Sequence, residues 1–404
     1  MNALKQCWCR IFQGAFRLAI PLLPYRRPEQ LPGVAALPGR LAGRGCKSVL
    51  VVTSPSVAKM PGTRRLLDAL AEEGISCVVY DKTVPNPTTD TVEEALALYR
   101  RGSCQAIIGI GGGSSLDCAK AVGVRVVLPH KPLSRLGGVL KVRRPLPPLA
   151  AVPTTAGTGS ETTIAAVITD AGTRDKYAIS DFPLIPDYAV LDPEMTLSLP
   201  PRLTASTGMD ALTHAVEAFI GRSTTKDTRE DALAAVELIF ANLERAYRDG
   251  SDLEARRNML TASFRAGCAF TKSYVGYVHA VAHSLGGAYN VAHGYANAVI
   301  LPVALRAYGP AVYPRLARLA QAAGLARPGM EERQTALAFI TGVEELNARC
   351  GIGTAIPELR PADIPALARH ADREANPLYP VPVLMDAQEL EQIYRRLLPA
   401  PESA

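Results

Sequence analysis

The stretch AIIGIGGGSSLDCAK, residues 106–120, carries the pattern that decides the fold of this chain. An apolar run with strand character, residues 106–110, leads into three glycines and then into a segment with helical spacing that starts near Ser114. Backbone N–H groups at such a helix start, together with the helix dipole, favour a bound phosphate group. The spacing matches neither the Gly-x-Gly-x-x-Gly motif nor a Walker loop, so a tight turn without a ligand is the alternative interpretation.

The same alternation of short apolar strands and helices continues on both sides of this stretch. It predicts a parallel sheet covered on both faces, which is a doubly wound α/β domain. A second polar loop, PTTAGTGSE at residues 153–161, offers hydroxyls and glycines that again favour contact with phosphate or ribose. In a doubly wound sheet both loops lie at the carboxyl ends of strands, where such folds bind ligands. We predict strands at 48–53, 76–80, 106–110, 148–152 and 188–191, and helices at 63–73, 91–101 and from 114.

The strand pattern stops near residue 200, and segments with a period of about 3.6 residues follow, as packed helices show. We predict three parts: an N-terminal extension at 1–30, a dinucleotide-binding α/β domain at 31–200 and an all-helical domain at 201–404. The predicted helices of the last part are 204–220, 229–248, 253–270, 279–285, 311–323, 330–349, 364–370 and 387–398.

Histidine is concentrated in this helical half. The chain has six histidines, and four of them fall near Asp210 or in the run from 279 to 293. Residues four apart share one face of a helix, so Asp210 pairs with His214 and His279 pairs with His283. The GGAYN break after His283 lets His293 return to the same place from a loop. Imidazoles with one carboxylate suit a divalent iron or zinc ion. Surface or capping pairs on amphipathic helices are the alternative interpretation.

Composition excludes several classes of protein. The net charge of +6 is spread along the 404 residues without the basic, aromatic-interleaved pattern of a nucleic-acid binder. The eight cysteines are scattered and several lie in apolar runs, which indicates reduced thiols and a cytoplasmic protein.

The first thirty residues contain an apolar run at 11–24 that resembles a signal peptide or a membrane segment. Arg17 and two prolines interrupt the run, and it is too short to span a bilayer, so we expect no integral membrane segment. We expect a short amphipathic helix packed on the body or on a partner. Peripheral contact with a membrane is the alternative.

Six motifs between residues 45 and 395 resemble the iron-containing (group III) alcohol dehydrogenases, and they follow the order of that family. They are PNPT at 85–88, GGGSSLDCAK at 111–120, PTTAGTGSE at 153–161, DPE at 192–194, TGMDALTH at 207–214, and HAVAH at 279–283 with His293-Gly294. The resemblance implies an α/β dinucleotide domain, a helical domain and an active site in the cleft between them. It also implies NAD(P)-linked interconversion of a small alcohol with its aldehyde or ketone by a homo-oligomer, in this family a dimer.

The resemblance assigns roles residue by residue. It implies that Fe²⁺, with Zn²⁺ as the alternative, is held by four ligands: Asp210, His214, His279 and His293. It places His283 near the nicotinamide, where a catalytic proton relay and a purely supporting role are both open. The implied cofactor contacts are Ser54, Asn86, Gly112, Gly113, Ser114, Asp117, Thr154, Thr155, Thr158 and Lys176.

One position departs from the family pattern, and it bears on the cofactor. Members of the family often have an aspartate directly after the first strand, where it binds the adenosine ribose; here the residue is Ser54. We therefore expect NADP to be accepted as well as NAD. Glycerol-dehydrogenase-like and dehydroquinate-synthase-like enzymes on the same fold, and a non-catalytic nucleotide-binding protein, are the alternatives for the whole chain.

Overall fold

The structure, a computed structural model, describes residues 1–399. Its contacts divide the chain into two compact units. One unit comprises residues 24–199, and the other combines residues 1–23 with the residues from 200 onward. The first helix, α1 (Ala3–Ala19), therefore belongs to the same unit as the C-terminal half.

The unit of residues 24–199 is built on a parallel sheet. Its nine strands are β1 (Glu29–Leu31), β2 (Ser48–Val52), β3 (Ser76–Tyr80), β4 (Ala106–Gly111), β5 (Gly138–Val139), β6 (Leu149–Pro153), β7 (Ala165–Thr169), β8 (Lys176–Ser180) and β9 (Tyr188–Val190). Six of them form one all-parallel sheet in the order β1-β9-β6-β4-β2-β3. A small second sheet has the order β5-β8-β7.

Helices cover both faces of the large sheet. They are α2 (Leu37–Ala42), α3 (Pro55–Ala58), α4 (Pro61–Glu72), α5 (Thr89–Arg101) and α6 (Gly113–Val127). Alternate residues of β2 point to opposite faces: Leu50 packs in the cluster that contains α5 and α6 residues, and Val51 packs in the cluster that contains α4 residues. All six residues of β4 are buried. Burial on both faces explains why these strands are continuous apolar runs rather than alternating ones, and the predicted α/β class is confirmed.

The other unit is helical. Besides α1 it contains α7 (Pro201–Ile220), α8 (Lys226–Arg248), α9 (Leu253–Ser273), α10 (Tyr277–Tyr289), α11 (His293–Tyr308), α12 (Tyr313–Ala322), α13 (Glu332–Arg349), α14 (Ile364–Ala375) and α15 (Ala387–Arg396). Helix α7 packs against α8, α9 and α11, and every residue from Gly208 to Ile220 is buried. The central position of α7 makes its polar residues the natural centre of a site. Within residues 1–399, every helix is too short or too polar to cross a bilayer.

Three local expectations differ from the structure. His293, expected in a loop, is the first residue of α11, a helix the sequence analysis did not predict. Gly294 and Pro302 lower the helix propensity of this segment, but burial of its apolar residues outweighs that cost. The short strands β1, β5, β7 and β8 were not predicted either. Residues 1–30 do not form one separate extension, because 1–23 pack in the helical unit while Glu29 begins β1.

All eight cysteines are free thiols. Cys7 is exposed and Cys77 is half-buried, whereas the other six are buried.

Candidate metal centre and nucleotide-binding loops

Four side chains of the helical unit converge on one point. Asp210 and His214 lie one turn apart on α7, His279 lies on α10, and His293 begins α11. One ligand atom from each residue, a carboxylate oxygen or a ring nitrogen, lies within 4.8 Å of all the others. Asp210, His214 and His279 are buried, and His293 is exposed. One carboxylate with three imidazoles is a donor set that fits a divalent iron or zinc ion.

Glu217 orients His279. The Glu217 Oε2 atom lies 2.6 Å from the Nδ1 atom of His279, which turns the Nε2 atom towards the cluster. The same carboxyl group accepts hydrogen bonds from the backbone N–H groups of Gly276 and Val278, both 2.8 Å long. Metal-binding histidines usually have such a partner on the second ring nitrogen, because it fixes the tautomer and the ring direction.

Burial shapes the protonation of this pair. It raises the pKa of Glu217 to about 8. Burial, followed by repulsion from neighbouring imidazoles, lowers the pKa of His279 well below its ordinary value. A cation held at Nε2 would leave the ring proton of His279 on Nδ1, where it faces the Glu217 carboxyl group.

Asn297 completes the centre from α11. Its Nδ2 atom donates to the Asp210 Oδ1 atom at 2.7 Å and lies 3.1 Å from the Nε2 atom of His293. Its Oδ1 atom is buried and has no hydrogen-bond partner among the described residues. The four clustered residues and this amide bring several acceptor atoms together, mostly at buried positions. That excess of acceptors is what a bound cation satisfies.

His283 lies beside the cluster, one turn after His279 on α10. Its ring stacks on that of His293 with centroids 5.3 Å apart. Its Nδ1 atom lies 2.6 Å from the Oε1 atom of Glu374 on α14, and the Tyr379 hydroxyl donates to the same oxygen at 2.7 Å. Although burial opposes it, the hydrogen bond to His283 holds the pKa of Glu374 below its ordinary value.

Two glycines allow helices α10 and α11 to approach α7 this closely. A Cβ atom on Gly294 would overlap the backbone carbonyl of Ser206. A Cβ atom on Gly276 would lie 2.7 Å from the Oε1 atom of Glu217. A larger residue at either position would separate the helices that bring the ligands together.

In the α/β unit, the two polar loops touch each other at the carboxyl ends of β4 and β6. The backbone N–H of Thr154 donates to the carbonyl of Gly111 at 3.0 Å. Gly111 has a φ of +146°, which an L-residue rarely adopts, and Gly112 precedes the first turn of α6. A Cβ atom on Gly112 would lie 3.5 Å from the Thr155 side chain, and one on Gly113 would lie 3.2 Å from that of Thr158. The loops thus present hydroxyls and a helix N-terminus on one surface, the arrangement that favours a phosphate group.

The remaining predicted cofactor residues lie at the same edge. The Lys176 Nζ atom donates to the Asn86 side-chain oxygen at 2.9 Å, and the Asn86 N–H donates to the Ser114 hydroxyl oxygen at 3.3 Å. Ser54 follows β2 and precedes α3, with its Oγ atom 3.3 Å from that of Ser56. Asp117 points inward, since its two oxygens accept hydrogen bonds from the Ser160 hydroxyl and from the Val167 N–H.

Three polar side chains of the centre were not singled out in the sequence: Glu217, Asn297 and Glu374. For two of them, the spacing from a predicted metal ligand could have indicated their position. Glu217 lies three residues after His214, and Asn297 lies four residues after His293, so each shares a helix face with a predicted ligand. Glu374 reaches His283 from α14, and nothing in local spacing points to it.

Two sequence-family profiles match nearly the whole chain. One, described as iron-containing alcohol dehydrogenase, matches residues 32–193, and the other, described as Fe-containing alcohol dehydrogenase family, C-terminal, matches residues 204–398. The chain belongs to the iron-containing alcohol dehydrogenase family.

Individual relatives agree with this assignment. The chain is 38% identical over 357 residues to the 1,3-propanediol dehydrogenase of Klebsiella pneumoniae, covering 87% of this chain and 92% of the relative. It superposes on a 1,3-propanediol oxidoreductase structure with a TM-score of 0.88 at 36% identity, covering 93% of this chain and 98% of the other. Sulfoacetaldehyde reductase from Bifidobacterium kashiwanohense in complex with NAD⁺ gives a TM-score of 0.83 at 28% identity, covering 93% of this chain and 98% of that one.

These matches confirm the family and the class of enzyme predicted from the sequence. The chain is an NAD-linked oxidoreductase of the alcohol dehydrogenase class, and iron and NAD are supported as its metal and cofactor. The matches do not favour a glycerol-dehydrogenase-like enzyme, a dehydroquinate-synthase-like enzyme or a non-catalytic nucleotide-binding protein.

Proposed function

We propose that this enzyme interconverts a small primary alcohol, such as a three-carbon diol, with its aldehyde, using iron held by Asp210, His214, His279 and His293. The cluster of these four ligand atoms within 4.8 Å carries the proposal. The likeness to 1,3-propanediol dehydrogenase supports the size and type of the substrate. Zinc is the alternative metal, because the same donors suit it.

In this enzyme the α/β residues 31–200 bind the nucleotide, and the helices from 201 onward bind the metal. The loops at Gly112–Ser114 and Thr154–Thr158 bind the pyrophosphate, and Asn86, Lys176 and Ser54 contact the rest of the nucleotide. Asp117 acts by holding the two loops together through Ser160. We further propose a homodimer located in the cytoplasm.

Bound iron supplies a Lewis acid that polarises the substrate oxygen, while the nicotinamide carries the hydride. The side chains prepare that chemistry. Asp210 offsets part of the positive charge, and Asn297 holds the Asp210 carboxylate in place through a 2.7 Å hydrogen bond. Glu217 keeps the Nε2 lone pair of His279 directed inward.

His283 acts as the proton relay in this proposal. Glu374 holds its Nδ1 atom, which leaves Nε2 to exchange a proton with the substrate oxygen or with water. The side chain of His283 is 42% exposed, so it can pass the proton on to solvent. The Tyr379 hydroxyl fixes Glu374 and thereby the direction of the ring.

A panel of aldehydes and alcohols that includes 1,3-propanediol tests the function. The purified enzyme is assayed with NAD(H) and NADP(H), and with iron, zinc or no added metal. We expect turnover of short primary alcohols and aldehydes that depends on the metal. A folded, iron-loaded enzyme that consumes neither cofactor with any member of the panel would contradict the proposal.

Metal analysis of variants tests the ligand set. His279→Ala and His293→Ala should lose iron and activity together, whereas His130→Ala, an exposed histidine of the α/β unit, should keep both. Full iron occupancy in either ligand variant would remove that residue from the set.

The cofactor preference is tested at Ser54. An aspartate here would accept hydrogen bonds from the ribose 2′-hydroxyl and repel a 2′-phosphate, so Ser54→Asp should shift the ratio of catalytic efficiencies towards NAD(H). If the unaltered enzyme already favours NAD(H) by about 100-fold, equivalent to about 2.7 kcal/mol, Ser54 does not have this role.

A further inference from the structure

Helix α1 is attached to the helical unit through a side that carries both polar and apolar residues. The Lys5 Nζ atom pairs with Asp372 at 2.8 Å. The Arg10 guanidinium donates to the backbone carbonyls of Val381 and Pro382 at 2.8 and 2.9 Å. The side chain of Gln13 is buried and donates to the carbonyl of Tyr379 at 2.7 Å. The side of α1 that faces the protein therefore combines these hydrogen bonds with apolar contacts of the buried Cys9 and of Phe16, whose ring meets that of Tyr274 edge-on.

The opposite side of α1 and the turn that follows it are apolar and exposed. Among residues 1–399, the five most exposed large apolar side chains all lie here, with exposures between 57% and 85%. The spacing of those within α1 places them on one side of the helix, since residues three, four and seven apart share a face, and the fifth follows in the turn after it. We name this surface the N-terminal apolar face; it consists of Leu4, Trp8, Ile11, Leu18 and Leu22.

We propose that the N-terminal apolar face docks on an anionic lipid surface, with α1 lying in the plane of the membrane. Charge supports this occupant. Residues 1–28 contain five Lys or Arg residues and no Asp or Glu. Lys5 and Arg26 are paired with Asp372 and Asp187. Arg10 donates to neutral oxygens and Arg17 is exposed, so both keep their positive charge. Amphipathic helices that bind the membrane interface combine Trp and Leu on one face with cations at its sides, and their binding strengthens with anionic lipid.

The same observations argue against a second copy of this chain as the partner that covers the N-terminal apolar face. Two N-terminal apolar faces packed together would bring two α1 helices side by side, each with the uncompensated charges of Arg10 and Arg17, and like charges repel. The face is also the outer surface of one helix and of the turn that follows it. Such a helix inserts into the headgroup region without a matching groove, and α1, with 17 residues, is too short to cross the bilayer.

The chain carries its own reporter for this interaction, because Trp8 is its only tryptophan. The full-length, metal-loaded enzyme is mixed with vesicles of phosphatidylcholine alone or of phosphatidylcholine and phosphatidylglycerol. We expect the Trp8 emission to shift to the blue and the enzyme to float with the anionic vesicles. Binding should fall on the order of tenfold at high salt, since salt screens the attraction.

Variants distinguish binding through this face from nonspecific binding of other exposed apolar side chains to vesicles. The double variant Ile11→Ser and Leu18→Ser should lose flotation while it keeps its thermal unfolding profile, because both side chains already face solvent. Val139→Ser and Leu253→Ser, at exposed apolar positions elsewhere, should bind like the unaltered enzyme. Arg17→Gln should weaken binding to the anionic vesicles and leave the folded state unchanged.

Three results would overturn the proposal. The first is unaltered enzyme that neither floats nor shifts its Trp8 emission with anionic vesicles. The second is equal loss of binding in the control variants. The third is self-association in sedimentation velocity that the Ile11→Ser and Leu18→Ser changes abolish, without vesicle binding; the face would then be an interface between copies of this chain.

Discussion

Glu217 is the side chain on which the direction of His279 depends. Its carboxyl group receives the His279 ring and two backbone N–H groups. In Glu217→Gln the amide keeps the shape, but its NH₂ group must face one of these donors. We expect the affinity for iron to fall by about 10- to 100-fold, as changes to such partners usually cause. Competition with a chelator measures this.

Glu237→Gln is the matched control for that change, because Glu237 is exposed on α8. It should bind iron like the unaltered enzyme. An unchanged affinity in folded Glu217→Gln would show that the α10 backbone alone directs His279.

Glu161 should make the stability of the enzyme depend on pH. Burial raises the pKa of Glu161 to about 7, although Lys120 nearby opposes the shift, and its Oε1 atom has no hydrogen-bond partner in the described part of the chain. A carboxyl group with a raised folded-state pKa binds more protons in the folded state than in the unfolded state. The free energy of unfolding therefore falls as the pH rises from the ordinary pKa towards 7.

In Glu161→Gln this dependence disappears. The variant should unfold at nearly the same temperature as the unaltered enzyme at pH 5 and at a higher temperature at pH 8. The added stability should be on the order of 2–3 kcal/mol at most. Thermal denaturation at the two pH values measures it, and an equal shift at both would mean that Glu161 is not protonated in the folded enzyme.

At the scale of elements, the start of α11 is held against α7 only because residue 294 is glycine. In Gly294→Ala the new methyl group meets the Ser206 carbonyl, so α11 must move and carry His293 away from Asp210. We expect the variant to fold with unchanged helix content but to retain little iron. Circular dichroism and elemental analysis test both halves of this expectation.

Gly287→Ala provides the comparison, since a Cβ atom there meets nothing within 4 Å. It lies within α10, where alanine is favoured over glycine by about 0.5–1 kcal/mol. This variant should keep its iron and gain a little stability. Equal iron loss in both variants would mean that any added methyl group near the centre disturbs it.

The sequence predicts some helices and strands and misses others, depending on whether local residue patterns or distant packing determine them. Strand β4 and helix α7 were predicted from their apolar residues. A strand buried on both faces is a short continuous apolar run, and a packed helix repeats its apolar residues about every 3.6 positions. Helix α11 was not predicted, because Gly294 and Pro302 disfavour a helix locally. Burial of the apolar residues of α11 outweighs that local preference. The sequence singled out Asp210, His214, His279 and His293 because histidine is rare in this chain and clustered, and the structure brings these four side chains together. Glu374 was not singled out, because it comes from a distant helix.

For the whole molecule, the attachment of α1 predicts a loss of stability without a loss of chemistry. Deleting residues 2–22 removes the contacts of Lys5, Arg10 and Gln13 with the segment near Tyr379. We expect the unfolding temperature of the helical unit to fall by several degrees while turnover of a soluble substrate stays within about twofold. Calorimetry and the cofactor assay measure these. A collapse of activity in a variant that remains folded would show that α1 supports the catalytic residues themselves.

The single exposed thiol has a practical consequence. Six of the eight cysteines are buried and Cys77 is half-buried, while Cys7 stands on the solvent side of α1. A maleimide probe used in small excess will therefore mark one position, next to Trp8, without any mutagenesis. For the same reason, protein stored in air will couple in pairs through Cys7, and a non-reducing gel will show a species of doubled mass that dithiothreitol returns to the single chain.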